Sequence, residues 1–272
     1  MKTAGLFITW NSAPFLADSI GRLRSVAPSV PVIVVDNGST DGTPALIREN
    51  WPEVRLIEPT HNTGFAGGNN IGLKAALEAD FEAVFLLNAD IIVEEDFITP
   101  CVARLVADPG IGIIGPTVLE AHPAGVIQCE GGQIIPHTLN FDYHRIGQPF
   151  ERSDELAPVS YVLGAAMLIR TDVIRRIGYL DEEFYPAYVE EADFCYRAAQ
   201  AGFRSVVHRG SAIRHIGAQS SGGKQRAFNR LSRQRFYFGI KHLGPFAFLI
   251  GSIAVVARVF YWKCRAHLTK SD

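Results

Sequence analysis

The chain has 272 residues, 47% of them hydrophobic, and a net charge of −2, which allows one large core and argues against a disordered or low-complexity protein. Its four cysteines, Cys101, Cys129, Cys195 and Cys264, lie far apart without a CxxC pair, which speaks against a zinc site or disulfide framework and fits a reducing compartment. The net charge conceals an asymmetry: residues 204–271 hold thirteen of the 26 Lys and Arg and no Asp or Glu.

From the N-terminus, MKTAGLFITWN enters a strand-like apolar run without the long hydrophobic region or cleavage site of a secretory leader, so a cytoplasmic location is expected. Short β-rich runs then alternate with helix-like segments: AGLFIT, PVIVVD, VRLIE, AVFLLN and IGIIG, all within the first 115 residues. That alternation predicts an α/β fold, a mostly parallel sheet flanked by helices. Each of the first four strands runs into a polar cluster: Thr9-Trp10-Asn11, then Asp36 to Gly42, then His61 to Gly64, then Asn88-Ala89-Asp90. Singly, such clusters are ordinary turn chemistry, with Asp and Asn bonding nearby backbone and Gly accepting positive φ. Four at the same end of one sheet predict a shared crevice, because open α/β sheets bind ligands outside the carboxyl ends of their strands.

The third cluster continues as HNTGFAGGNNIGL, whose glycines permit close backbone approach. It is not GxGxxG, it follows the third strand, and GxxxxGK[ST] is absent, so a dinucleotide fold and a P-loop hydrolase are both disfavoured. In the fourth cluster, Asp90 falls where an apolar strand opens to water. A carboxylate there suits a hard divalent cation on diphosphate oxygens, and equally an Asx turn or a cap for the helix predicted after IIVEEDF. Further along, YVEEADFCYRAAQAGF, residues 188–203, places Glu190, Glu191 and Asp193 in the first turn of a predicted helix. Helix electrostatics alone accounts for acids there, with Asp193 pairing Arg197 one turn on. His215 follows a second β-like run and precedes AQSSGGK, which reads as a flexible loop; a lone histidine is more often a packing residue than a ligand.

Five blocks, VVDNGSTDGT, NTGFAGGNNIGL, LLNADIIVEEDF, GAAMLIRTDVI and YVEEADFCYRAAQAGF, stand in an order and spacing that resemble the inverting GT-A glycosyltransferases of family 2, particularly rhamnosyltransferase-like members of polysaccharide assembly. The resemblance implies a GT-A fold with Thr9 and Asn11 enclosing a nucleotide, Asp36 recognising its base, and Asn62 and Gly64 in a nucleotide-binding loop. Asp90 and His215 would hold a divalent metal, Mg or Mn. Asn88 replaces the first acid of the family's DxD motif and is left with the diphosphate, for which Lys224, Arg233 and Arg235 are further partners. Gly164 and Ala165 fall on the acceptor side. Glu190 and Glu191 match the catalytic pair, with Glu191, one methylene longer than the usual Asp, as general base.

The implied reaction is a single displacement that moves a sugar, rhamnose as the first expectation, from a dTDP- or UDP-linked donor to a hydroxyl of a glycan or polyprenyl-diphosphate-linked acceptor. A sugar-nucleotide pyrophosphorylase would need a Gly-rich loop directly after the first strand, which TWNSAPF does not supply. A catalytically silent sugar-nucleotide or lipid-binding protein of the same fold would not need acids at 36, 90 and 191. Residues 1–223 are expected to form the GT-A domain, with a nucleotide-binding half at 1–115 and an acceptor and catalytic half at 116–223. Residues 224–272 form a basic, apolar helical extension. No nucleic-acid motif accompanies its charge, so diphosphate or an anionic membrane is favoured over nucleic acid. The uncharged run from Pro245 to Ala257 is too short to span a bilayer, leaving a helix on the inner face of the cell membrane or one buried against its own domain or a homodimer partner.

Overall fold

A computed structural model describes residues 1–217, 224–245, 248–249, 251–253 and 255–256, without side-chain detail at 137 and 224–229. The strands are β1 (Thr3–Thr9), β2 (Val32–Asp36), β3 (Arg55–Ile57), β4 (Ala83–Asn88), β5 (Ile91–Ile92), β6 (Ile111–Glu120), β7 (Ile127–Cys129), β8 (Gly132–Ile135), β9 (Asn140–Tyr143), β10 (Leu156–Val159), β11 (Ala166–Arg170) and β12 (Arg204–His215). The helices are α1 (Arg22–Val26), α2 (Thr43–Asn50), α3 (Gly64–Glu78), α4 (Ile98–Ala107), α5 (Thr171–Ile177), α6 (Glu190–Gln200) and α7 (Lys224–His242).

One large sheet runs β10-β12-β6-β11-β4-β1-β2-β3, with β5 added to β12 and β7 to β6. Strands β3, β2, β1 and β4 are parallel, β11 lies antiparallel between β4 and β6, and β12 is parallel to β6. Alternation within each central strand sends side chains to two separate cores. Leu6, Val35, Val84 and Leu86 pack on one face with Leu73 of α3, Phe194 of α6 and Phe238 of α7, while Phe7, Val34, Phe85 and Leu87 pack on the other with Ile98 and Leu105 of α4. Because both faces are covered, the strands read as continuous apolar runs. α3 crosses β1 at Gly72, where a Cβ would lie 2.2 Å from Leu6 Cδ1.

Two irregularities position the site. The register of β12 against β6 shifts between His208 and Ala212 and then resumes, carrying the end of β12 to Glu120 and, antiparallel, to β5, with His215 opposite Ile91. Before α6, Tyr188 and Val189 both have positive φ, +87° and +76°. That region is a genuine outlier for a β-branched residue.

Candidate active site

Asp36 knits together the ends of β1 and β2. Its carboxylate is buried; Oδ1 accepts from Thr9 Oγ1 at 2.8 Å and Ser39 Oγ at 2.6 Å, and Oδ2 accepts from the Ser39 N–H at 2.9 Å. Thr9 is fully buried, so its hydroxyl orients Asp36 instead of lining open space. Asn11 steadies the next turn: its Oδ1 accepts from the Thr40 N–H at 2.8 Å, and its own N–H donates to Ser39 Oγ at 2.7 Å. Asn37 extends the ledge to the third cluster, accepting at Oδ1 from the Thr63 N–H (2.9 Å) and donating through Nδ2 to the Gly64 carbonyl (2.9 Å). Asn62 Oδ1 accepts from the Gly64 N–H at 2.8 Å.

The ledge meets the segment before α6 at Gly64. Its φ is +75°, a Cβ there would lie 2.8 Å from the Tyr185 ring and 3.0 Å from the Pro186 carbonyl oxygen, and the next N–H, of Phe65, donates to that carbonyl at 2.8 Å. His61, Asn62, Thr63, Glu182 and Tyr185 line a cavity of about 370 Å³ at this junction.

On the other side of β1, Asn88 and Asp90 meet His215, which lies 127 residues after the first of them, because β5 pairs with the end of β12. His215 Nε2 lies 3.2 Å from Asp90 Oδ1 and 3.5 Å from Asn88 Nδ2. Its Nδ1 is 2.8 Å from Gln128 Oε1. Gln128 Nε2 donates to Glu120 Oε2 at 3.0 Å and to the His215 carbonyl at 3.3 Å, which turns Oε1 toward the ring and makes Nδ1 the protonated nitrogen. Nε2 is thereby left facing the Asp90 carboxylate, a contact completed either by a proton on Nε2 or by a cation between the two. Burial opposes the charge on Asp90, but the hydrogen bond and charge of His215, helped by the backbone amides of Asp90 and Gly217, outweigh it and hold the carboxyl below its ordinary range. Among the described residues no third His, Cys, Asp or Glu joins the pair to make a larger ligand cluster. A divalent ion here would draw its remaining ligands from phosphate oxygens and water.

The two glutamates that open α6 differ. Glu190 is 3% exposed and its Oε2 has no hydrogen-bond partner among the described residues; burial, reinforced by the charge of Glu191, pushes its carboxyl far up. Glu191 is half-buried, and burial raises it from 4.5 to about 7 against the opposing backbone amides at the start of its own helix. A Cβ on Gly164 would lie 3.6 Å from Glu191 Cβ and 3.2 Å from the Phe65 ring, and the Asn88 N–H donates to the Ala165 carbonyl at 3.0 Å. The Gly164-Ala165 step thus links the end of β4 to Glu191.

Asp193 forms the expected ion pair with Arg197, at 2.8 Å, but also accepts from His242 Nε2 (2.6 Å) and Lys241 Nζ (2.8 Å) on α7. It locks α6 to α7. Gln234 of α7 donates to the Tyr185 carbonyl at 2.9 Å, so α7 braces both ends of the segment that carries the glutamates. Arg235 is buried with its guanidinium 5.9 Å from the Phe141 ring centre, and Arg233 is exposed. The Lys224 side chain and residues 218–223 lie outside the described residues.

Residues 6–178 match the model of Glycosyl transferase family 2. The chain belongs to that family. Across 237 residues this family 2 glycosyltransferase is 27% identical to N-acetylglucosaminyl-diphospho-decaprenol L-rhamnosyltransferase of Mycobacterium tuberculosis, covering 79% of the chain and 76% of that protein. It is 29% identical over 199 residues to a low-salt glycan biosynthesis hexosyltransferase of Haloferax volcanii, covering 71% of the chain and 60% of that protein. Its fold resembles a mannosyltransferase from Pyrobaculum calidifontis solved with GDP-Man and Mn2+, with a TM-score of 0.64 over 95% of this chain and 75% of that one at 19% identity. It also resembles GalNAc-T7 solved with UDP, GalNAc and Mn2+, with a TM-score of 0.67 over 86% of this chain and 47% of that one at 15% identity. The GT-A fold and the transferase class implied by the ordered blocks both hold.

Two residues of this family 2 enzyme that sequence reasoning did not single out are Asn37 and Gln128. Asn37 lay in plain view within DNGSTDG. Gln128 carried no signal, since an isolated Gln in a short strand acquires meaning only when folding brings it to His215.

Proposed function

We propose that the enzyme is an inverting transferase that moves a hexose, rhamnose as the first expectation, from a dTDP- or UDP-sugar to a hydroxyl of a glycan carried on a polyprenyl diphosphate at the inner face of the cell membrane. The observation that carries this reading is Glu191, a half-buried carboxyl raised to about 7, set against Gly164 and joined through Ala165 to the strand end that presents Asn88 and Asp90. A base poised near the working pH is the form that proton abstraction favours. With an acceptor hydroxyl in contact, a Glu191 oxygen takes its proton as the acceptor oxygen bonds to the anomeric carbon and the bond to the diphosphate breaks. One such displacement inverts that carbon. Burial and the neighbouring charge of Glu191 push the Glu190 carboxyl up, which favours its neutral form beside the base.

Asp90 Oδ1 and His215 Nε2 fit a hard or borderline divalent ion, Mg or Mn, with Gln128 holding the imidazole in the tautomer such a ligand needs. When bound, that ion would neutralise the charge growing on the departing diphosphate. The Mn2+ in two solved neighbours supports this assignment, and the name of the Mycobacterium relative supports a lipid-linked acceptor. Asp36, with Thr9 and Ser39 fixing its rotamer, presents a preorganised carboxylate for the base.

Titration calorimetry with a panel of sugar nucleotides, in Mn2+ and in chelator, tests the reading. One donor is expected to bind in Mn2+ only; Asp90→Ala removes the metal-dependent part, and Asn88→Ala keeps most of it because only Asp90 supplies a full negative charge. Equal affinity in chelator would refute the metal assignment, and no binding by any sugar nucleotide would refute the transferase reading.

A further inference from the structure

The described residues near the C-terminus carry an unpaired apolar surface. Between 245 and 256 the described positions are mostly helical. One side of this helix faces inward: a Cβ on Gly251 would lie 2.6 Å from Leu139 Cγ, Val255 is 1% exposed, and Phe248 approaches Gly239 of α7 to 2.8 Å of a Cβ placed there. The other side shows Leu249, Ile253 and Val256, spaced i, i+4, i+7 and exposed by 58%, 61% and 60%. On the adjoining α7, Ile240 is 66% exposed, and two turns earlier on the same face stands exposed Arg233, with Arg230 a turn before it. Neither arginine pairs with a carboxylate among the described residues, and residues 204–271 contain no acid to neutralise them.

We infer that this basic-to-apolar face, from Arg230 and Arg233 through Ile240 to Leu249, Ile253 and Val256, docks on an anionic lipid surface. A soluble protein partner would have to supply both acids and an apolar patch in register. An anionic leaflet offers both at once, headgroup charge for the arginines and an acyl boundary for the four aliphatic side chains. The surface also bears on the site: Gln234 and Lys241 of the same α7 bond the Tyr185 carbonyl and Asp193, so a docked α7 would hold the base-bearing segment at the membrane plane. That last step rests on the lipid-linked acceptor proposed above; the docking itself does not.

The test is co-sedimentation of the full chain with vesicles of phosphatidylcholine alone or mixed with phosphatidylglycerol, at low and high salt, with no glycan acceptor present. The intact protein is expected to pellet with the anionic vesicles, less so as salt rises. The double variant Leu249→Asp with Ile253→Asp should bind roughly tenfold more weakly or worse, with an unchanged melting temperature, since both side chains are exposed. Arg230→Glu should lose binding at low salt and little at high salt. An intact protein that ignores both vesicles at low salt would overturn the inference, as would a double variant that pellets equally well. If the intact protein ignores vesicles and sediments as a dimer that the double variant dissolves, a second copy of the chain covers the face. Because the vesicles carry neither donor nor acceptor, failure here is distinct from failure of the calorimetric test.

Discussion

Replacing Glu191 by Gln removes the proposed base and a half-buried charge together, so activity and stability should move in opposite directions. Burial raises this carboxyl from 4.5 to about 7. The folded protein therefore holds the proton more tightly than the unfolded chain does. Stability linked to this group is present in full below the unfolded value and is lost as pH climbs through about 7. The whole shift corresponds to about 3 kcal/mol, and screening at a half-buried group reduces the effective loss to about 1–2 kcal/mol. At pH 8 the glutamine variant should melt about 3–6 °C above the parent, with the gap closing by pH 4, while turnover falls about 10²–10⁴-fold. Parent kcat/KM should rise with pH through about 7 as the base loses its proton. Differential scanning fluorimetry at the two pH values, beside an assay of nucleoside diphosphate release, reads all of this. A melting gap that ignores pH, or near-parental turnover, would refute the reasoning.

Gly64→Ala should destabilise the fold by about 2–3 kcal/mol, from a left-handed backbone forced on Ala and a Cβ pressed on Tyr185, and should lower turnover by displacing the segment before α6; parental urea denaturation and activity would show that the contact relaxes freely. Gln128→Leu keeps the volume but releases the His215 ring, so Mn2+ affinity measured in the presence of a nucleoside diphosphate should fall about 10–100-fold. Unchanged affinity would mean that Gln128 serves only the sheet.

Much of this architecture was legible because it is local. Apolar runs such as VIVVD and AVFLLN announce strands, and the Asp, Asn and Gly that follow announce turns at their ends, so the ledge around Asp36 could be anticipated. What could not be read depends on distant partners. Nothing near Gly164 forecasts that Glu191 will lie against it, and nothing near Asp193 forecasts a bond to His242, 49 residues on. The basic composition of α7 reads as a surface for diphosphate or an anionic membrane, yet Phe238 lies in the core with Leu6 and Phe194. Val189 defies its own propensity, since a β-branched residue disfavours positive φ. The chain is pinned before it, with Phe65 bonding the Pro186 carbonyl and Gln234 bonding that of Tyr185, and after it, with the Asp193 N–H donating to the Val189 carbonyl at 2.8 Å.

The placement of β11 has a consequence for how the chain is made. It lies between β4 and β6 but is synthesised after both, and β12, the other neighbour of β6, is synthesised later still. When residues 1–120 have left the ribosome, β4 and β6 therefore carry open hydrogen-bonding edges lined by Ile, Val, Phe and Leu. Such edges are templates for pairing with a foreign strand. The gap between β4 and β6 stays open until five residues, Ala166–Arg170, arrive, and the far edge of β6 stays open until β12 follows. A stall in translation or a protease cut between 121 and 165 would leave a fragment bearing most of the ledge around Asp36, but with the sheet unsealed and prone to join its neighbours.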